Sequence, residues 1–414
     1  MSHSERTLAP ATDEADPVTW LSDGSFAPDT ELLTDDGLTT VADCLPGDRV
    51  LALDTTTIRA VTKPLVAVNP VEPSSIVVNG DARRVGFRVR PGHRMCLYTV
   101  GGDRARTIRA DNLDAYSVYT FVNSWSTPLR RRLNRVDVTR LCNDYEVCVA
   151  HEGHGQAFRA VLPEGCEPVG RNSWTGYHFD AETFERYRAA IEAAADEITV
   201  RAGVRATRRP RLFDGDDFLR LLGWYATEGS VTESTTSDTI EIKLAQDRGE
   251  DHDAIVALCE RRGFAPTIDE KGIRFSSRLF GRLFARLCGD ASRSKHLPPV
   301  VHDLSTSQQR LLLDILLRGG GDDRGTFYTS SDRLAADVLW LCAAVGISPR
   351  YTHRDTGIWR VSVQETNDGL NSTTQVETKS PTAAPYYRLA VADFPTVLAG
   401  RNGRFQWIGT SGVA

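Results

Sequence analysis

Two apolar, helix-like segments of this chain end alike. The first, Leu221-Leu222-Gly223-Trp224-Tyr225-Ala226-Thr227-Glu228-Gly229, closes on a carboxylate and a glycine; the second, Leu312-Leu313-Asp314-Ile315-Leu316-Leu317-Arg318-Gly319-Gly320-Gly321, has Gly320 where the carboxylate would fall. Helices whose backbones touch need small residues at the crossing, and glycine permits that approach at some loss of helix propensity. Gly223 and Gly319 suit such a crossing. A carboxylate at each helix end would then meet its partner beside a two-fold axis, where paired acids can hold a hard divalent cation against a phosphodiester. Two amphipathic core helices with solvated last turns would leave the same pattern, so the flanks must separate the readings.

Each segment is followed by strand-like residues and then a leucine-rich helix with a glycine stop. These are 239–245 and 253–262 before Gly263, then 325–330 and 332–344 before Gly346. The repetition suits an α/β half that occurs twice. On these motifs, residues 215–355 resemble a LAGLIDADG (dodecapeptide, DOD-type) homing endonuclease with both halves in one chain, and Ser294-Lys295-His296-Leu297-Pro298 resembles the lysine-proline element of intein-borne members. The resemblance implies Glu228 as a metal-binding acid, Lys295 as an active-site cation, Mg²⁺ or another divalent ion as cofactor, and double-stranded DNA as partner. It also implies a monomer with an internal pseudo-two-fold. With Gly320 in place of an acid, one of two metal sites should be weak or absent, which suggests nicking. Asp322, just past the glycines, is a candidate replacement ligand if the helix end is reshaped. Gly320→Asp should then raise cleavage.

The outer parts resemble an intein of the hedgehog/intein (Hint) type. Ser25-Phe26-Ala27-Pro28-Asp29-Thr30-Glu31-Leu32-Leu33-Thr34 and Leu45-Pro46-Gly47-Asp48-Arg49-Val50 resemble its opening, Phe87 to Arg94 its histidine element, and Tyr387 to Phe394 with Thr396 to Phe405 its closing strands. The implied fold is an all-β, horseshoe-like Hint domain interrupted by an α/β (α+β) endonuclease domain with two pseudo-symmetric halves. The implied map is a leader at 1–24, Hint segments at 25–165 and 356–409, a bridge at 166–212 with a helix over 181–198, the endonuclease at 213–355, and a tail at 410–414.

Protein splicing asks for a nucleophile that converts an amide to an ester or thioester, and Ser25 stands where family members usually have cysteine. His93 matches the catalytic histidine, a proton donor for the leaving nitrogen. Its usual threonine partner is Arg90, which cannot reproduce a hydroxyl's short contacts. The closing-strand histidine falls at Pro395, and Arg388 stands where aspartate or cysteine is usual. Thr410 occupies the terminal amide position ahead of Ser411, and threonine cannot cyclise to a succinimide. The expectation is impaired splicing, with two other functions open: cleavage at Ser25 without ligation, or DNA binding with neither reaction.

With 414 residues, 41% of them hydrophobic, the chain can fill two or three cores. No apolar run is long enough to span a bilayer and no secretory signal is evident, so a cytoplasmic location is expected. Eight cysteines lack paired metal spacing and read as small apolar fillers; Cys142, Cys148, His151 and His154 offer a zinc site on paper. A net charge of −6 is unusual for a protein that grips a polyanion, and only five of the 49 basic residues are lysines. An acidic, lysine-poor surface fits adaptation to high salt, as in halophilic archaea. Candidate DNA contacts on the strand faces are Lys243, Arg274, Arg278, Tyr328, Arg350 and Arg360. The run Arg201, Arg205, Arg208, Arg209 and Arg211 reads as a linker touching phosphates or as a solvated segment.

Overall fold

The computed structural model describes residues 24–411 apart from 75, 82–84, 100–103, 116–118, 129, 153–154, 173–175, 204–205, 235–238, 248, 364–375 and 380–383. The leader expected at 1–24, all but its last residue, lies outside the described residues, as do His154 and Arg205. The chain is mostly β with seven described α-helices, and it divides into two compact units: 1–126 with 367–414, and 127–366. The second unit thus falls in sequence between the two segments of the first.

In the first unit, three opening strands lie between closing strands. Arg404–Gly409, Thr396–Arg401, Glu31–Thr34, Arg49–Asp54, Arg59–Val71 and Tyr386–Val391 follow one another across an antiparallel sheet. Val50, Leu51, Ala52 and Leu53 are all buried, so this strand is covered on both faces and reads as a continuous apolar run rather than an alternating one. One cluster from Phe26 through Val50, Phe87 and Leu97 to Val397 and Ile408 forms the core, so the two chain segments share a single interior.

The second unit begins well before the expected boundary at 213. Residues 127–212 are not a remainder of the first unit plus a bridge. They build a five-stranded antiparallel sheet, in the order Gly170–Asn172, Gly176–Asp180, Glu146–Ala150, Glu197–Arg201, Arg209–Pro210. Helix α1 (Gly155–Val161) and helix α2 (Ala181–Ala194) belong to this part. Asp180 caps α2 by accepting from the Thr183 amide, and Phe184 and Ile191 are its buried face. The helix stops four residues short of the expected 198 because Ile198 and Val200 are β-branched and enter a strand instead. At the other boundary, Trp359–Ser362 pairs with Thr326–Thr329, which keeps it in the second unit rather than in a closing segment from 356.

Two further βα groups follow. Helix α3 (Gly215–Glu228) leads into the sheet Gly229–Glu233, Ile240–Leu244, Gly272–Ser276, Thr267–Asp269, with helices α4 (Glu250–Arg261) and α5 (Arg278–Cys288). Helix α6 (Thr306–Gly320) leads into Thr326–Thr329, Trp359–Ser362 and Arg350–His353, with helix α7 (Asp332–Ala344). The strand that follows α3 has only a one-residue counterpart after α6, the bridge between Gly321 and Phe327. The hairpin of the second group is therefore cut down to a tight turn.

Helices α3 and α6 pack on one another, and the two glycines are what allows it. A Cβ on Gly223 would lie 2.8 Å from Ile315 Cγ2, and one on Gly319 would lie 2.2 Å from Thr227 Oγ1. A valine at 223 would gain some helix propensity but would push against branched carbons that are already packed. Gly223→Val is therefore expected to destabilise the second unit by about 1–3 kcal/mol, read as a lower urea midpoint for its transition in the full chain. An unchanged or higher midpoint would show that the crossing is looser than described.

Candidate functional site

Where α3 and α6 end, a cleft of about 370 Å³ opens, lined among others by Glu228, Gly229, Lys295, Gly320, Phe327 and Tyr328. The two residues assigned to catalysis in this unit, Glu228 and Lys295, thus share one cavity. Glu228 is the last residue of α3, half-buried, and burial together with the charge of Asp247 holds its carboxyl above the ordinary carboxylate range. Asp247 was not anticipated. Its position follows from register: Gly229 lies opposite Leu244, and the Ala245 amide donates to the Glu228 carbonyl at 3.0 Å, which turns the next residues toward the helix end. Counting along that hairpin could have found it.

Lys295 is only 4% exposed, low enough that its charge must be held by specific partners. Its ammonium donates to the Tyr225 carbonyl at 2.9 Å and the Gly289 carbonyl at 3.2 Å and lies 3.7 Å from the centre of the Tyr225 ring. The group therefore caps the C-terminal end of α3, a favourable place for a cation, and keeps one of its three donors for the cleft. Burial nevertheless brings its pKa down to about 8, with Cys288 and Asp290 opposing the shift. The loop carrying it is fixed from α7. The Ser331 hydroxyl donates to the Lys295 carbonyl, and the buried Asp337 carboxyl accepts from the Leu297 amide at 2.7 Å.

The α6 side offers less. Gly320 lines the cleft with no side chain, and Asp322 does not line it. One oxygen of Asp322 accepts from the Thr326 and Arg324 amides at 2.9 and 3.0 Å, and the other accepts from the Tyr328 hydroxyl at 2.8 Å. Those bonds, the Thr326 amide first, hold its carboxyl below the usual range. The short turn employs Asp322 as its own clasp, so the structure does not bring it to Glu228 as a ligand. Among the described residues, no group of three or more His, Cys, Asp or Glu could hold a metal ion. The zinc set fares accordingly: the Cys142 sulfur contacts the Val138 carbonyl at 3.0 Å, Cys148 is buried within a strand, and His151 faces Asp196 at 3.6 Å.

Of the candidate DNA contacts, most share outward sheet faces. Lys243 lies between Ser230 and Arg274 in register, opposite the buried Ile240, Ile242 and Leu244 face, and Arg274 is held by Asp269 at 3.0 Å and Glu241 at 3.6 Å. Tyr328 pairs with Arg360, whose guanidinium is 5.4 Å from its ring, and Arg350 sits opposite Ser362 on the same face. Arg278 does not belong with them. It opens α5 and turns to Asp144, 4.0 Å away, a partner far off in sequence.

The first unit gathers a second constellation. Phe26 and Tyr387 exchange amide-carbonyl bonds at 2.9 Å, and the Arg90 amide donates to the Ser25 carbonyl at 3.2 Å, which straps the opening residues between both chain segments. Ser25 is fully buried, and its hydroxyl has no hydrogen-bond partner among the described residues. The Ser411 hydroxyl donates to the Gly24 carbonyl, the acyl group that Ser25 would attack. His93 is buried with its ring 4.4 Å from that of Phe26, and burial drives its pKa down to about 3. The backbone of Gly409 and of Ser25 is near enough to favour the charged ring slightly, yet neither nitrogen closes a hydrogen bond of good geometry. At neutral pH this imidazole is uncharged, so it must accept a proton before it can give one. The Arg90 guanidinium donates to the Glu72 carbonyl instead of supporting the Ser25 amide. Thr410 and Ser411, expected in a short tail, are buried and bonded to the Pro395 and Leu389 carbonyls at 2.7 and 2.9 Å.

No family model matches the chain. Among curated proteins it is 23% identical over 406 residues to a DNA polymerase of Thermococcus hydrothermalis, covering 81% of this chain and 24% of that one. A DNA polymerase of Thermococcus litoralis is 24% identical over 157 residues, covering 36% and 9%. The chain thus spans a quarter or less of the length of these relatives. Among solved structures, I-DmoI in complex with DNA and Mn aligns with 35% of this chain and 88% of its own at 13% identity and a TM-score of 0.28. A DnaB intein from Synechocystis sp. PCC 6803 aligns with 25% and 74% at 15% identity and a TM-score of 0.21. Likenesses this partial carry no argument.

Proposed function

We propose that the chain is an intein-like protein whose second unit is a divalent-cation-dependent DNA endonuclease of the LAGLIDADG type, acting as a monomer and reduced to nicking. The observation that carries this is the convergence of Glu228 and Lys295 on one cleft at the ends of two closely crossed helices. A half-buried carboxylate with a second acid nearby is the kind of oxygen donor that Mg²⁺ takes with water and substrate phosphate completing its shell. Glu228 would hold the ion, and Asp247 would add charge beside it. Such an ion supplies Lewis acidity toward a phosphoryl oxygen and a more acidic bound water. Lys295 places positive charge where the phosphate gains negative charge, and outward residues such as Lys243, Arg274, Tyr328 and Arg360 engage the duplex.

The test is a plasmid library of genomic fragments incubated with Mg²⁺ or with EDTA. Open circles that accumulate from a subset of inserts only with Mg²⁺ support the reading, and no divalent-dependent product rejects it. The gain expected from Gly320→Asp alone is corrected by packing: a Cβ there would lie 2.7 Å from the buried Phe327 ring. Gly320→Asp combined with Phe327→Leu should increase linear over nicked product, whereas Gly320→Asp alone should not.

A second reading, leader release at Ser25, is favoured by the Ser411 hydroxyl on the Gly24 carbonyl. The two readings involve different units and do not compete.

A further inference from the structure

Two junctions in which a glycine precedes a hydroxyl residue meet at one histidine of the first unit. Gly24-Ser25 is one, and Gly409-Thr410 is the other. Ile408 pairs with Met95 in antiparallel register, so two steps further along the ladder Thr410 comes across from His93, within reach of a cross-strand contact. The packing of Gly409 agrees with that count: a Cβ there would lie 2.5 Å from the Arg94 carbonyl oxygen and 2.7 Å from Arg94 Cβ. The strand spacing thus requires glycine at 409, and a glycine carbonyl carbon carries no side chain to hinder attack.

Thr410 is 2% exposed, and its hydroxyl has no hydrogen-bond partner among the described residues. Both ring nitrogens of the fully buried His93 are likewise unpaired there. Such groups are rare in folded proteins, because each gives up its bonds to water without replacement. A valine at 410 would fill the same space without that loss. Burial keeps the His93 ring neutral, and the Gly409 backbone opposes that shift as only an acceptor can, which sets the Gly409 carbonyl beside the ring. At the first junction the ring meets the Ser25 carbonyl, one residue past the bond to be cut; at the second it meets the carbonyl of the bond itself. The Thr410 amide donates to the Pro395 carbonyl at 2.7 Å, which holds this second junction in place.

We propose that Gly409–Thr410 is a second self-cleaving junction, with the Thr410 hydroxyl as its nucleophile. The inference goes beyond both readings above and uses neither Ser25 nor the second unit. A hydroxyl needs a base to become a good nucleophile, and a neutral imidazole is one. His93 takes the hydroxyl proton, Thr410 Oγ1 bonds to the Gly409 carbonyl carbon, the Gly409–Thr410 amide breaks, and the proton passes from the imidazole to the Thr410 nitrogen. The product is an ester of Gly409 on the Thr410 side chain. Water or hydroxylamine then cleaves that ester and frees the residues from Thr410 onward. An acyl shift of this kind needs no succinimide, the step that threonine cannot perform.

The test is the mass of the full chain held in hydroxylamine. A species ending in a Gly409 hydroxamate is expected. Release at Ser25 removes residues 1–24 instead, so the two junctions are told apart in one spectrum. Thr410→Val should abolish the Gly409 product, Thr410→Ser should retain it, and His93→Gln should slow it by about 10²–10⁴-fold. The urea midpoint of the first unit's transition in Thr410→Val should be unchanged or higher, because an unpaired hydroxyl is exchanged for a methyl. A lower midpoint would show that the hydroxyl is bonded in the fold, and overturns the proposal. So does the lack of a Gly409 product from the unaltered chain, or a Gly409 product that survives in Thr410→Val. Loss of residues 1–24 without a Gly409 product overturns it too, while leaving the Ser25 reading intact.

Discussion

Glu228→Gln is expected to lower divalent-dependent cleavage by at least about 10³-fold, the scale on which a group acting in the transition state is missed. Lys295→Met should have a comparable effect for a different reason, the loss of positive charge at the phosphate. The two separate by pH. Glu228 must be ionised, and burial with Asp247 nearby keeps its proton on to higher pH than usual, so the acid limb of the rate profile should lie above the ordinary carboxylate range. Lys295 must be protonated, so activity should fall as pH rises through about 8. Asp247→Asn removes a neighbouring negative charge, makes Glu228 easier to ionise, and should move the acid limb to lower pH while leaving the alkaline limb in place. A profile in which neither limb moves with Asp247→Asn or Lys295→Met would sink the assignment of Glu228 and Lys295 as the working pair.

What the sequence makes legible here is whatever depends on local pattern. The strand Ile240–Leu244 is legible from its own alternation of buried and exposed residues, and the glycines at 223 and 319 stand out because each interrupts an apolar helical run where the crossing partner comes close. Partner choice over long separations is not legible. Arg278 looks like a surface contact until Asp144, from another part of the unit, occupies it, and Asp322 looks like a spare acid until the shortened turn takes both its oxygens. The domain boundary fails for a related reason. Short strands between turns look alike in either unit, and only long-range pairing, such as Val136 with Phe213, assigns residues 127–212 to the second. The tight turn after α6 also sets an aromatic ring, Phe327, against the space a side chain at Gly320 would take, so a carboxylate there would require a change of packing as well as of residue 320.

In the first unit, Ser25→Ala is expected to abolish hydroxylamine-induced release of the residues ahead of Ser25, and Ser411→Ala to slow it by about 10²–10³-fold. In the step itself, the Ser25 hydroxyl oxygen bonds to the Gly24 carbonyl carbon, the Gly24–Ser25 amide breaks, and the hydroxyl proton passes to the Ser25 nitrogen. The charge that builds on the Gly24 oxygen is met by the Ser411 hydroxyl, which already donates to it. His93, neutral down to about pH 3, can carry the proton, and its removal should slow the step by about 10²–10⁴-fold. The same burial gives a readout independent of chemistry. The folded ring stays unprotonated while an unfolded histidine takes a proton below about pH 6.5, so folding stability is full above that value and falls as pH drops. The loss approaches about 1.4 kcal/mol per pH unit until the folded pKa is reached. His93→Gln should remove that slope in the first unit's unfolding transition. Release that persists in Ser25→Ala would assign the nucleophile elsewhere; a stable full-length mass in hydroxylamine would leave the first unit as a fold without the reaction. A His93→Gln variant that slows release yet keeps the acid slope would place the buried titrating group on another residue.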